Sequence, residues 1–138
     1  MKAYVAGKLT SESEREFLEK IARVCESVGM KTFLPHRDAG LAKSIKDVKK
    51  IFKKDILGGF KDCKLVVADL NGLHVGAGTA WELGYAYANG IPAVGIKTDE
   101  GVNDALESLS AILISSMDIV TSTQELKEWL VKFFNKKH

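Results

Sequence analysis

The chain has 138 residues, 46% of them apolar and 28% charged, with a formal net charge of +2. That size and balance suit one soluble globular domain over 1–138, able to bury a core without disulfide or metal staples. They exclude a membrane-spanning chain, since no run of about 20 apolar residues exists, and so small a charge is no argument for nucleic acid as a partner.

Met1-Lys2 opens onto only a short apolar run, residues 3–7, so no signal peptide is expected and the cytoplasm is the expected address. The first strand is expected at residues 3–6, stopped by Gly7. Residues 11–28 follow as a helix, with Phe17, Leu18, Ile21, Val24 and Val28 at helical spacing. Ser11 with Glu14 forms a capping box, and Gly29 is a natural stop. A second strand over 31–34 is halted by Pro35, and a second amphipathic helix is expected over 42–60, carrying Ile45, Val48, Ile51, Phe52, Ile56 and Leu57. Its lysines, Lys43, Lys46, Lys49, Lys50, Lys53 and Lys54, read as a solvated face, because no aromatics interleave with them as a single-strand binder needs.

The third strand is expected at 65–68, ending at Asp69, and the third helix at 79–89, closed by Gly90 and Pro92. A fourth strand at 93–96, a helix at 103–113, a weaker strand at 118–120 and a helix at 123–134 complete the pattern. Continuously apolar strands alternating with helices predict an α/β fold: a three-layer, doubly wound, five-stranded parallel sheet of flavodoxin-like or Rossmann-like type, strand order 2-1-3-4-5. In such sheets ligands bind beyond the carboxyl ends of the strands. That rule selects Gly7 and Lys8, His36 to Asp38, the stretch 69–78, and Lys97 onward.

Cys25 and Cys63 lie in unrelated apolar contexts and read as small core residues in a reducing compartment. His36, His74 and His138 are scattered, so no metal site and no cofactor are expected. Across 70–96 the only formally charged residue is Glu82, on one of the least polar helices of the chain. A carboxylate there is costly to bury unless a helix N-terminus and nearby hydroxyls hold it ionised, the state a nucleophile needs. Read alone, Glu82 is either such a nucleophile or an ordinary exposed or hydrogen-bonded side chain. Gly72, Gly76 and Gly78 either pack a loop against the sheet or admit a ligand; they match neither a Walker A nor a dinucleotide fingerprint.

Taken together, Leu65 to Gly72, then Gly78-Thr79-Ala80-Trp81-Glu82-Leu83-Gly84-Tyr85-Ala86, resembles the nucleoside 2-deoxyribosyltransferase family. So do Tyr4-Val5-Ala6-Gly7, Phe33 to Asp38, and Lys54-Asp55-Ile56, with order and spacing kept over most of the chain. The resemblance implies a catalytic set in which Glu82 attacks the anomeric carbon, Tyr4 orients it, and Asp55 handles the proton of the base. It implies a covalent glycosyl-enzyme and transfer of the sugar to a second free nucleobase, with no cofactor. Substrate contacts are expected from Gly7, Lys8, His36, Asp38, Asp69, Gly76, Gly78 and Asn103, although Asp69 reads slightly better as a loop cap.

Asn103 looks like the asparagine that reaches a neighbouring subunit's pocket, which implies a homodimer or larger homo-oligomer; otherwise it caps the next helix. One departure matters: many transferases carry aspartate where this chain has Gly76, and the related 2'-deoxynucleoside 5'-monophosphate N-glycosidases carry serine. Hydrolysis of a 5'-monophosphate by water is therefore the alternative reading, and a non-catalytic nucleotide-binding module a second.

Overall fold

The computed structural model describes residues 1–137, and His138 lies outside the described residues. Strands and helices alternate as β1 (Lys2–Ala6), α1 (Glu12–Ser27), β2 (Lys31–Phe33), α2 (Pro35–Asp38), α3 (Val48–Phe52), β3 (Cys63–Asp69), α4 (Ala77–Ala88), β4 (Ala93–Ile96), α5 (Leu106–Ser116), β5 (Asp118–Val120) and α6 (Thr123–Lys137). All pairings are parallel, and the order is β2-β1-β3-β4-β5, the expected one. The chain turns from one side of the sheet to the other between β1 and β3, so the crevice opens at the carboxyl ends of these two strands.

Alternate residues of β1 serve two cores. Ala3 and Val5 pack with Leu18, Ile21 and Cys25 of α1 and Leu126 and Leu130 of α6. Tyr4 and Ala6 face the other way, toward Ile56, Phe60, Leu83, Ala86 and Leu109. Helix α1 begins where expected: Ser11 accepts from the Glu14 N–H, and Glu14 accepts from the Ser11 N–H. Cys25 and Cys63 are both buried and free.

The second expected helix departs most from its pattern. Ser44 and Asp47 form a capping box, and the Asp47 carboxylate also accepts from the Lys43 N–H at 2.8 Å, so helical structure starts at Ile45 rather than residue 42. A 3-10 turn, Ile45–Asp47, leads into α3, which runs on as a π-helix, Lys53–Gly59. Of its expected core face only Ile56 is buried; Ile45, Val48, Phe52 and Leu57 stay exposed. The segment leans over a cavity instead of lying flat on the sheet. Pro35, read as the stop of the second strand, follows β2 and also opens the short helix α2, where its missing N–H costs nothing.

Asn103 sits inside a 3-10 turn, Val102–Asp104, and Ala105 is the N-cap of α5. The capping role for Asn103 is therefore corrected. Helix α5 also breaks at Ser110, whose φ of 66° lies in the left-handed region that favours glycine. Among the described residues no helix is long and apolar enough to cross a membrane.

Candidate active site

Tyr4 lies in the middle of β1, completely buried, its ring stacked on Phe60 at 4.2 Å and on Phe33 at 5.3 Å. The π-helix can approach this ring only because Gly59 has no side chain. A Cβ there would come within 2.6 Å of the tyrosine and 2.8 Å of Phe33. From this rigid platform the Tyr4 hydroxyl donates to Oε2 of Glu82, on the second turn of α4. Asp55 is carried by the π-helix, a geometry that recurs at functional sites because its extra residue per turn re-aims a side chain.

Glu82 and Asp55 line the same two cavities. The first, of about 460 Å³, is walled by Val48, Ile51, Phe52, Ile56 and Trp81. Phe52 meets Trp81 edge-on at 5.7 Å, and Trp81 stacks on Tyr85 at 5.6 Å. The second, of about 310 Å³, is lined by Gly7, Lys8, Thr10, Gly76, Gly78 and Thr79. One cavity is thus flat-walled and apolar, the other polar and bounded by the start of α4. The two meet at the carboxyl groups.

Burial governs the charge of these acids. It pushes the Glu82 carboxyl up to about 7, with the hydrogen bond from Tyr4 pulling down and the nearby Asp55 charge adding to the rise. Burial alone lifts Asp55 to about 6. The Tyr4 phenol is raised by burial first and then by the Glu82 charge, so it stays a donor. Glu82 is thus less readily ionised than its place near a helix start suggests, since desolvation outweighs what the Tyr4 hydroxyl returns. Asp55 makes no ion pair with Lys50, Lys53 or Lys54, and its Oδ1 is buried without a hydrogen-bond partner. An acid so placed is open to a ligand.

Tyr4, Asp55, Glu82, Gly7, Lys8, Gly76 and Gly78 come together as one constellation. Other expected contacts do not join it. The Asp38 carboxylate accepts from the Leu34 N–H at 2.9 Å and pairs with Arg37 at 2.8 Å, closing α2 on itself. His36 lies 3.8 Å from Glu19 of α1 and lines neither cavity. Asp69 is 9% exposed and caps its own loop through the Asn71 N–H at 2.9 Å. Asn103 is exposed and lines neither cavity of its own chain.

Sequence reasoning missed the aromatic wall of Phe52 and Trp81. The signal available was that α4 is apolar on every side and so has more apolar surface than the sheet can cover. It placed Lys97 at the ligand crevice, whereas that side chain is fully buried and lines neither cavity. Among the described residues no group of three His, Cys, Asp or Glu could hold a metal ion.

The family model of nucleoside 2-deoxyribosyltransferases matches residues 3–130. No curated protein matches the chain significantly. Among solved structures, a conserved protein from Enterococcus faecalis V583 is 27% identical with a TM-score of 0.77, the match covering 96% of this chain and 98% of that one. A 2-deoxyribosyltransferase from Bacillus psychrosaccharolyticus is 22% identical with a TM-score of 0.73, over 92% and 90% of the two chains. A CMP N-glycosidase from Clostridium botulinum is 18% identical with a TM-score of 0.55, over 94% and 98%. The last two likenesses are of fold.

Proposed function

The chain belongs to the nucleoside 2-deoxyribosyltransferase family, and from that premise we propose that it cleaves the N-glycosidic bond of a (deoxy)nucleoside and hands the sugar to a second base. The observation that carries this reading is the meeting of Glu82, held by Tyr4, with an unpartnered Asp55 across one cavity. A Glu82 oxygen bonds to C1' as the bond from C1' to the base nitrogen breaks, giving a glycosyl ester. Asp55 gives its proton to the departing base, which then leaves neutral. An incoming base attacks C1' from the opposite side and surrenders its proton to Asp55, and Glu82 departs as carboxylate. Two inversions retain the configuration.

Each part of the site supports one step. A flat heterocycle fits the first cavity against the wall that Phe52 and Trp81 form, whose faces and edges favour ring stacking. The Tyr4 hydroxyl fixes the Glu82 rotamer along the line of attack. The sugar's 5' end falls to the second cavity, beside Lys8, Gly76 and Gly78.

A second reading has its own observation. Among the described residues Lys8 makes no ion pair, and it stands in that cavity beside the open start of α4, where Gly76 offers no side-chain cap. A 5'-phosphate would suit this corner, with water replacing the second base. Incubation with deoxyinosine and free adenine, then with dCMP or dGMP alone, separates the two. The transferase exchanges bases and releases little; the hydrolase releases base from the monophosphate. Absence of both activities would leave only a nucleotide-binding module.

A homo-oligomer belongs to the same proposal. An apolar groove of about 710 Å³ runs between α4 and α5, with Tyr87 72% exposed and Ile112 78% exposed. Helices apolar on both sides are ordinarily covered. A second copy packed there about a two-fold axis covers two such faces at once and carries its Asn103 toward its neighbour's cavity. Mixing Asn103→Ala chains with Glu82→Ala chains then restores activity, and an absence of rescue removes the shared site.

A further inference from the structure

Lys97 follows β4 directly, and its side chain is fully buried. A buried ammonium is costly unless its protons find acceptors. Here Nζ donates to the Leu70 carbonyl at 3.0 Å and the Gly72 carbonyl at 3.2 Å, and pairs with Asp99 at 2.9 Å and Glu100 at 3.5 Å. The two carboxylates are tied in turn. Asp99 accepts from the Gly72 N–H at 2.8 Å, and Glu100 accepts from the Ser108 hydroxyl at 2.5 Å. Alongside, the Thr98 N–H donates to the Asn71 side chain at 2.7 Å, and the Asn71 amide donates to the Thr98 hydroxyl at 3.0 Å. These bonds clasp the loop entering α4 to the loop leaving β4.

The clasped loop is the shelf on which Lys8 rests. A Cβ on Gly72 would come 3.0 Å from Lys8 Nζ, and one on Gly76 would come 3.1 Å from Lys8 Cγ. Gly72 holds a φ of 103°, which a side chain would strain, so the shelf keeps a glycine where Lys8 lies closest. Lys8 and Gly76 line the cavity that contains Glu82 and Asp55.

We infer that Lys97 is a positioning residue: by gripping Leu70 and Gly72 it sets the shelf, and through it the place of Lys8 and the start of α4 relative to Glu82. The inference rests on the reading of the Glu82 cavity as the sugar site. Lys97→Met removes one partner of the cluster and is costly to the extent that the other charges stay buried. Asp99 and Glu100, however, are 44% and 33% exposed and can be hydrated once the ammonium is gone, so the variant is a probe of position when read well below its melting point.

The test is a double-mutant cycle on base exchange or release, run well below melting with Lys97→Met, Lys8→Met and the pair. Lys97→Met should lower kcat/KM at least about tenfold, and the pair should lose no more than about twice the larger single loss, because both changes act through one shelf. Amide exchange over 70–78 should quicken about tenfold while α1 holds its protection, a readout that general destabilisation would not confine to one loop. Should Lys97→Met fail to fold, Asp99→Asn breaks the clasp from its exposed end and takes its place in the cycle. Full activity in the folded variant, losses that multiply, or unchanged exchange over the shelf would each overturn the inference. A wild-type chain inactive on every nucleoside and monophosphate brings down the reading of the cavity, and this inference with it. An active wild type with an unimpaired Lys97→Met variant removes the inference alone.

Discussion

On the side of the sheet covered by α1 and α6, Leu18, Ile21, Cys25, Leu126 and Leu130 point inward, while Glu12, Glu16, Lys20 and Arg23 face water. The opposite side, under α3, α4 and α5, exposes Val48, Phe52, Trp81, Tyr87 and Ile112. It also includes a π-helical run, a left-handed Ser110 inside a helix, and two carboxyls raised by burial. One side follows the local rules of a stable layer. The other breaks them where ligand and partner surfaces are proposed, and local rules tend to fail at working sites.

The widest way to break this contrast is to remove one side chain from each side. Glu82→Ala should lose at least about a thousandfold in rate, as loss of a covalent nucleophile does, and keep its fold. Leu18→Ala should cost about 2–5 kcal/mol in denaturant unfolding and leave the activity of the folded fraction intact. Similar effects on both properties from both changes would erase the distinction.

Asp55→Asn comes next. It should slow release of the base about a hundredfold and spare substrates with better leaving groups. The two carboxyls titrate as a pair and the active form carries one proton, on Asp55, so the rate profile of the unaltered chain should be bell-shaped, rising up to about 6 and falling above about 7. The optimum then lies between these values, and Asp55→Asn should remove the alkaline fall. A profile still rising at pH 9 would take Asp55 out of the proton transfer.

The smallest effect concerns stability. Folding raises the Glu82 carboxyl from the ordinary 4.5 to about 7, so the folded chain holds that proton more tightly than the unfolded one. The burial penalty is absent below pH 4.5 and complete above 7. Glu82→Gln should therefore be more stable at pH 8 by on the order of 2 kcal/mol, and no more stable at pH 4. A gain equal at both values would assign the effect to packing. No such pH-dependent gain is expected from changes among the exposed acids of α1.

How much of this was legible follows the same division. The limits of β4 and β5, the Ser11–Glu14 cap and the strand order could be read directly, because apolar runs and caps are local signals. The isolation of Glu82 was legible too, since one charge in an apolar helix stands out. The π-helix was not, for an apolar period fixes which residues share a face and not how tightly the turns wind. Val48 and Phe52 were assigned to the core for the related reason that an apolar stripe does not tell whether sheet or ligand will cover it. Lys97 was placed with its loop in the ligand crevice and its buried role was not legible, because its acceptors Leu70 and Gly72 are backbone carbonyls over 20 residues away.

The covalent step itself can be caught with a nucleoside whose 2-fluoro sugar slows release from the enzyme more than attachment to it. Intact-protein mass spectrometry should then show one added glycosyl group, with peptide mapping placing it on Glu82. Base released in step with turnover, with no adduct at Glu82 at any time, would contradict the nucleophile and with it the mechanism.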